Sequence, residues 1–189
     1  AKIKLKNGYI EASSKRLQGA EIRFEGITVT GTENLMMAAS LAEGTTKLTN
    51  VAKEPEIIDL AEMLNSMGAR IKGAGTDEII ISGVTNLKGT VYDIPADRIE
   101  AGTYLVAAAV TGGDITVDGI NPERLMTVIN KLENTGAKLS YDKTSISISM
   151  KKVTPEPVDI TTAPFPEFPT DMQAQFSVIN AISNGTSNI

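Results

Sequence analysis

A block of about seventy residues recurs along this chain, and repetition at such a period constrains the fold more than any single motif. Each block must bury its apolar faces against the next. Three apolar segments, residues 35–45, 105–114 and 176–186, share one pattern and end in Gly44, Gly113 and Gly185, 69 and 72 residues apart. Met67-Gly68-Ala69-Arg70-Ile71 is echoed by Thr135-Gly136-Ala137-Lys138-Leu139, and Pro55-Glu56 by Pro122-Glu123. Ala1-Lys2-Ile3 matches the same hairpin positions with its preceding glycine missing.

One block reads as β-α-β-α-β-β. Residues 19–24, 89–94 and 157–161 alternate apolar and polar residues, which predicts strands. The helix that follows (35–42, 104–110) is apolar on nearly every side and so is expected to be buried. A strand comes next (45–51, 114–118). The second helix is amphipathic, with Ile57, Leu60, Ala61, Leu64 and Met67, and then Leu125, Val128, Ile129 and Leu132, at helical spacing. Asn121 and Pro122 suit its start, and Gly68 and Gly136 its end. Hairpins close the block, residues 70–72 with 78–82 and 138–141 with 145–150, turned by Gly73-Ala74-Gly75 and Asp142-Lys143. The chain therefore holds a hairpin (1–11), two full blocks (19–84 and 89–152) and half of a third. Half a block exposes an apolar helix face and a sheet edge. An excerpt of a longer protein is the expectation.

Composition narrows the chemistry. The 189 residues contain no Cys and no His, which removes thiol nucleophiles, imidazole bases, disulfides and the usual zinc sites from this stretch. A net charge of −5 without a long basic run, and aromatics at 4%, argue against binding bulk nucleic acid. No apolar run reaches the ~20 residues of a membrane helix, and no signal-peptide pattern appears. A cytoplasmic location is the default expectation.

The segments Lys53-Glu54-Pro55-Glu56-Ile57, Ala96-Asp97-Arg98-Ile99-Glu100-Ala101-Gly102-Thr103 and Phe168-Pro169-Thr170-Asp171-Met172-Gln173-Ala174-Gln175-Phe176, carried on such blocks, resemble the enolpyruvyl transferases. The match is to the branch that begins peptidoglycan precursor synthesis, and it covers the whole chain. The resemblance implies an α+β fold of repeated β-α-β-α-β-β units, as in the two-domain inside-out α/β barrel of that family, here incomplete. Residues 1–95 would belong to one globule and 96–189 to the other, with a crossing near Ile94-Pro95-Ala96. It further implies phosphoenolpyruvate and UDP-N-acetylglucosamine as substrates bound in the cleft between globules. The remaining segments of the same protein would be partners, with no cofactor, metal, nucleic acid or membrane. The 189 residues alone would be inactive.

Asp171 precedes an apolar helix, where a carboxylate reads as a cap beside free amides. The resemblance instead makes it the general base at the sugar 3-hydroxyl, with Thr170 fixing its position. The turn 26–32 is rich in hydroxyls and opens a helix. By position one of its threonines is an N-cap, with Glu33 in the first turn; the resemblance assigns Thr28 and Val29 to the UDP-sugar. Gly26 stands where many members have Lys, and Thr30 where some have Gly. Asp97 and Arg98 read as solvated or structural charges beside the crossing, or as residues of the closed cleft or its hinge. Glu54 reads as cap and surface, or as cleft lining. A rival reading makes the chain a non-catalytic repeat module or assembly scaffold. RNA-end processing is a third, disfavoured by the acidic charge and the lack of His.

Overall fold

Period-two alternation decides which side of each strand meets the core, and the strand registers follow it. The computed structural model describes residues 2–151 and 154–189. Ala1, assigned above to the first hairpin, and Lys152, assigned to the end of the second block, lie outside the described residues. Two compact units divide the chain, Ala1–Asp93 and Ile94–Ile189.

In the first unit, β1 (Lys2–Lys6) and β2 (Tyr9–Ser13) form a hairpin with its own two-stranded sheet. There follow β3 (Glu21–Arg23), α1 (Val29–Ser40), β4 (Thr45–Thr49), α2 (Pro55–Ser66), β5 (Ile71–Lys72) and β6 (Glu78–Ser82). That is the β-α-β-α-β-β order expected from the repeat. The sheet runs β3-β4-β6-β5, with β3 and β4 parallel and the other pairs antiparallel. Register sets Leu48 opposite Ile79 and Thr46 opposite Ile81, so one face is apolar. Met36 of α1 and Ile57, Ala61 and Leu64 of α2 cover that face. On the opposite face Lys47 pairs with Glu78 at 2.8 Å.

The second unit repeats this plan without its first strand. It contains α3 (Arg98–Thr111), β7 (Asp114–Asp118), a 3-10 turn at Pro122–Leu125, α4 (Met126–Asn134), β8 (Lys138–Tyr141) and β9 (Ser145–Ser149). Asn121 caps the 3-10 turn, accepting from the Glu123 amide at 3.0 Å. A second 3-10 turn at Thr170–Met172 leads into α5 (Gln173–Ile182), which packs on α3. The sheet order is β7-β9-β8, and Ile115, Val117, Leu139, Ile146 and Ile148 face a core shared by α3, α4 and α5. Both units are mixed α+β. Among the described residues no helix is long and apolar enough to cross a membrane.

Three expectations need correction. Residues 89–94 and 157–161 form no strand. Val158 and Ile160 are buried as their alternation predicts. However, their backbone bonds go to the Asn180 side chain and to the Asn188 carbonyl, not to a ladder. At 89–94 the apolar positions find no sheet, and Val91 is 97% exposed. The apolar helices are also less buried within each unit than their composition predicts. Met37, Tyr104 and Val178 lie on exposed faces of α1, α3 and α5. Finally, the left-handed residue that ends α3 is Gly112 (φ 67°), one position before the glycine the repeat singles out. A residue with a Cβ is strained at that φ.

Candidate functional site

Thr28 and Val29 sit where β3 hands over to α1. Thr28 is extended (φ −142°, ψ 122°), which is the backbone of an N-cap, and its Oγ1 accepts the Gly31 amide at 3.2 Å. Gly31 makes this approach possible, since a Cβ there would fall 2.4 Å from Thr28 Cγ2. The Thr32 hydroxyl donates to the Thr28 carbonyl at 2.7 Å and accepts the Ala52 amide at 3.1 Å. That threonine, fully buried, ties the start of α1 to the entry of α2. Val29 is half-buried against the first core. Because α1 begins at Val29, Glu33 falls in the second turn and not in the first. Gly26 is exposed, and a Cβ added there would meet nothing within 4 Å; Thr30 is exposed as well.

Glu54 corrects the reading of a surface cap. It occupies the N-cap position of α2 but makes no side-chain cap bond, and it is only 8% exposed. Its neighbour Lys53 pairs with Asp77 at 2.6 Å. Glu33 lies close enough to feel this region. Burial holds its carboxyl above the ordinary range, and the charges of Glu56 and Glu54 push it the same way.

In the second unit, Asp97 is an exposed cap of α3, accepting the Ile99 and Glu100 amides at 2.8 and 3.2 Å. Arg98 beside it is 6% exposed, and its guanidinium lies 5.9 Å from the centroid of the Phe165 ring. Such a contact contributes about 1–2 kcal/mol when desolvated. Arg98, Phe165, Pro166, Glu167 and Pro169 line one side of a cleft of about 210 Å³.

Thr170 and Asp171 lie in the 3-10 turn that feeds α5, and both are exposed. The capping alternative for Asp171 is not what the structure has. Neither the turn nor α5 has a side-chain cap bond, and among the described residues no hydrogen bond or ion pair engages the Asp171 carboxylate. Its flanks are fixed instead. Met172 is fully buried against Gly102, where a Cβ would meet its Sδ and Cε at 3.0 Å. Phe168 stands edge-on to Phe176 at 5.0 Å, and Gln175 Nε2 donates to Thr103 Oγ1 at 2.9 Å. A carboxylate exposed on a fixed backbone, with no helix amide using its oxygens, is available to accept a proton.

The structure thus ties the neighbours of Asp171 to α3 within the second unit, Met172 to Gly102, Gln175 to Thr103 and Phe165 to Arg98, and joins Thr28 to Thr32, and through it to Ala52, within the first. Phe165 lay outside the segments the sequence reading singled out, and Gly102 and Met172 lay inside them without a role of their own. One signal for them existed: three of the chain's four phenylalanines fall within residues 165–176. Among the described residues no group of three or more Asp, Glu, His or Cys side chains gathers to hold a metal ion.

The chain is similar to known proteins in sequence and in fold. The family model described as EPSP synthase (3-phosphoshikimate 1-carboxyvinyltransferase) matches residues 1–189. UDP-N-acetylglucosamine 1-carboxyvinyltransferase from Vesicomyosocius okutanii is 52% identical over 189 residues, which is 100% of this chain and 45% of that protein. The enzyme of the same name from Halorhodospira halophila is 51% identical, again over 100% of this chain and 45% of its own length. The chain therefore spans a little under half the length of these curated relatives. Among solved structures, the enolpyruvyl transferase NikO from Streptomyces tendae has the same fold. It superposes with a TM-score of 0.82 at 20% identity, over 97% of this chain and 47% of that one. A full-length family match, relatives at half identity and a shared fold together make this chain a member of the EPSP synthase family, the carboxyvinyl (enolpyruvyl) transferases.

Proposed function

We propose that the protein carrying this chain transfers the enolpyruvyl group of phosphoenolpyruvate to the 3-hydroxyl of UDP-N-acetylglucosamine. Phosphate leaves through a tetrahedral addition–elimination intermediate. Asp171 is the general base that takes the hydroxyl proton as the C–O bond forms, and Thr170 helps to hold it. Thr28 and Val29 bind the nucleotide sugar, with amides at the start of α1 facing an anionic group. Asp97, Arg98 and Glu54 belong to the cleft or its hinge. Residues 1–95 and 96–189 fall in different globules of the parent fold, and the 189 residues alone turn nothing over. Such an activity serves peptidoglycan synthesis, and with it cell-wall growth and division, from the cytoplasm. It needs neither nucleic acid nor a membrane.

The observation that carries this reading is the exposed Asp171 carboxylate on a clamped turn, which no helix amide consumes. Half identity to enzymes named for this transfer supports it. The test is phosphate release by the protein at the length of its relatives, supplied with both substrates. Wild-type turnover and a loss of roughly 10²-fold or more in Asp171→Ala are expected. An inactive wild type, or an Asp171→Ala variant of undiminished rate, contradicts the proposal.

A further inference from the structure

The backbone that presents Asp171 is a closed turn. The Ala163 amide donates to the Phe168 carbonyl at 3.0 Å, and the Glu167 amide to the Pro164 carbonyl at 3.1 Å. At its far end the Met172 amide donates to the Pro169 carbonyl at 3.1 Å. Three positions on the first turns of α3 hold this structure. Thr103 accepts from Gln175, Gly102 admits Met172, and Arg98 covers the Phe165 ring. The first two secure the residues after Asp171, while Arg98 alone of the three reaches the portion before it. A charged side chain that is 94% buried is costly to keep unless it is paired, and the face of the Phe165 ring is one of the partners of Arg98. Its flat cation over an aromatic face fixes the orientation of Phe165 as well as its position.

Resting on the function proposed above, we propose that Arg98 is a positioning residue for Asp171. By lying over Phe165 it fixes the leading limb of the turn whose trailing limb carries the carboxylate. Positioning of this kind acts on turnover, because small displacements of a catalytic group cost rate far more than binding.

The test uses the protein at the length of its relatives, with Arg98→Met, Phe165→Leu and Phe165→Tyr. Arg98→Met and Phe165→Leu are expected to lower kcat about tenfold or more, with KM for both substrates within about twofold. Phe165→Tyr keeps the aromatic face and stays near wild type. Placed in an Asp171→Ala background, neither damaging variant lowers the residual rate further, which a general loss of structure would do. Amide hydrogen exchange at Glu167, Phe168 and Met172 rises in Phe165→Leu while that of α4 does not. Unchanged exchange at those amides overturns the proposal, as do rate losses that persist without Asp171 or appear only in KM. If the wild type turns nothing over, the functional reading falls and the exchange measurement still decides the clamp. If the wild type is active and Asp171→Ala is not, but Phe165→Leu is, the clamp alone falls.

Discussion

Thr28 and Asp171 both stand at helix starts, yet only Thr28 spends its oxygen on a helix amide. Replacing Thr28 with Ala removes that acceptor and is expected to cost about 1 kcal/mol of stability, read from denaturant unfolding. Two residues earlier, Gly26 has open space around it. Gly26→Lys should be tolerated and should tighten UDP-N-acetylglucosamine several-fold at low salt. The gain should fade as salt rises, as for any exposed charge contact. Calorimetric titration at two salt concentrations checks it; a gain indifferent to salt would show that charge is not the cause. A threonine cap was legible in the turn 26–32 because a cap and its partner lie three residues apart, though not that Thr28 is the one that caps. Arg98 was not, because Phe165, which gives a buried guanidinium its place, is remote in sequence and only tertiary folding brings the two together.

At the scale of elements, the start of α1 couples steric fit to capping. Gly→Ala inside a helix ordinarily stabilises by up to about 1 kcal/mol. Gly31→Ala should do the reverse, because its methyl collides with Thr28 Cγ2 and displaces the cap. Thr28→Ser, which lacks that methyl but keeps the hydroxyl, should restore much of the loss; thermal unfolding of the single and double variants decides. Glu33 supplies a pH dependence. Its carboxyl is raised, so the folded chain binds the proton more tightly than the unfolded chain does. Stability is greatest below the ordinary value of 4.5 and falls as pH rises through the raised one. Glu33→Gln should therefore raise the melting temperature at neutral pH, and the advantage should shrink on acidification. An advantage that grows in acid would contradict this. The helices, the hairpins and their order were legible from periodicity and glycine spacing. The strands expected at 89–94 and 157–161 were not real, because alternation reports which side chains are buried and not whether a neighbouring strand supplies hydrogen bonds. Val158 and Ile160 show the difference: both are buried, yet Val158 takes a side chain of α5 as its partner and Ile160 a carbonyl near the end of the chain.

For the molecule as a whole, apolar surface is distributed unevenly. Ile3, Leu5 and Ile10 share one face of the β1–β2 hairpin through the pairing of Leu5 with Ile10 and Ile3 with Ala12, and all three are at least 69% exposed. The corresponding hairpins β5–β6 and β8–β9 lay their apolar faces on helices. A lone two-stranded hairpin is marginal in water. In the 189-residue chain, amides of β1 and β2 should exchange far faster than those of β4 and β6, and equal protection would contradict this.

Asp171→Asn keeps the shape of the side chain and removes its basicity, so it separates holding the sugar from activating it. In the protein at the length of its relatives, this variant should bind UDP-N-acetylglucosamine within a few-fold of wild type while single-turnover product formation falls by roughly 10²-fold or more. Product formed at close to the wild-type rate would show that the proton goes elsewhere.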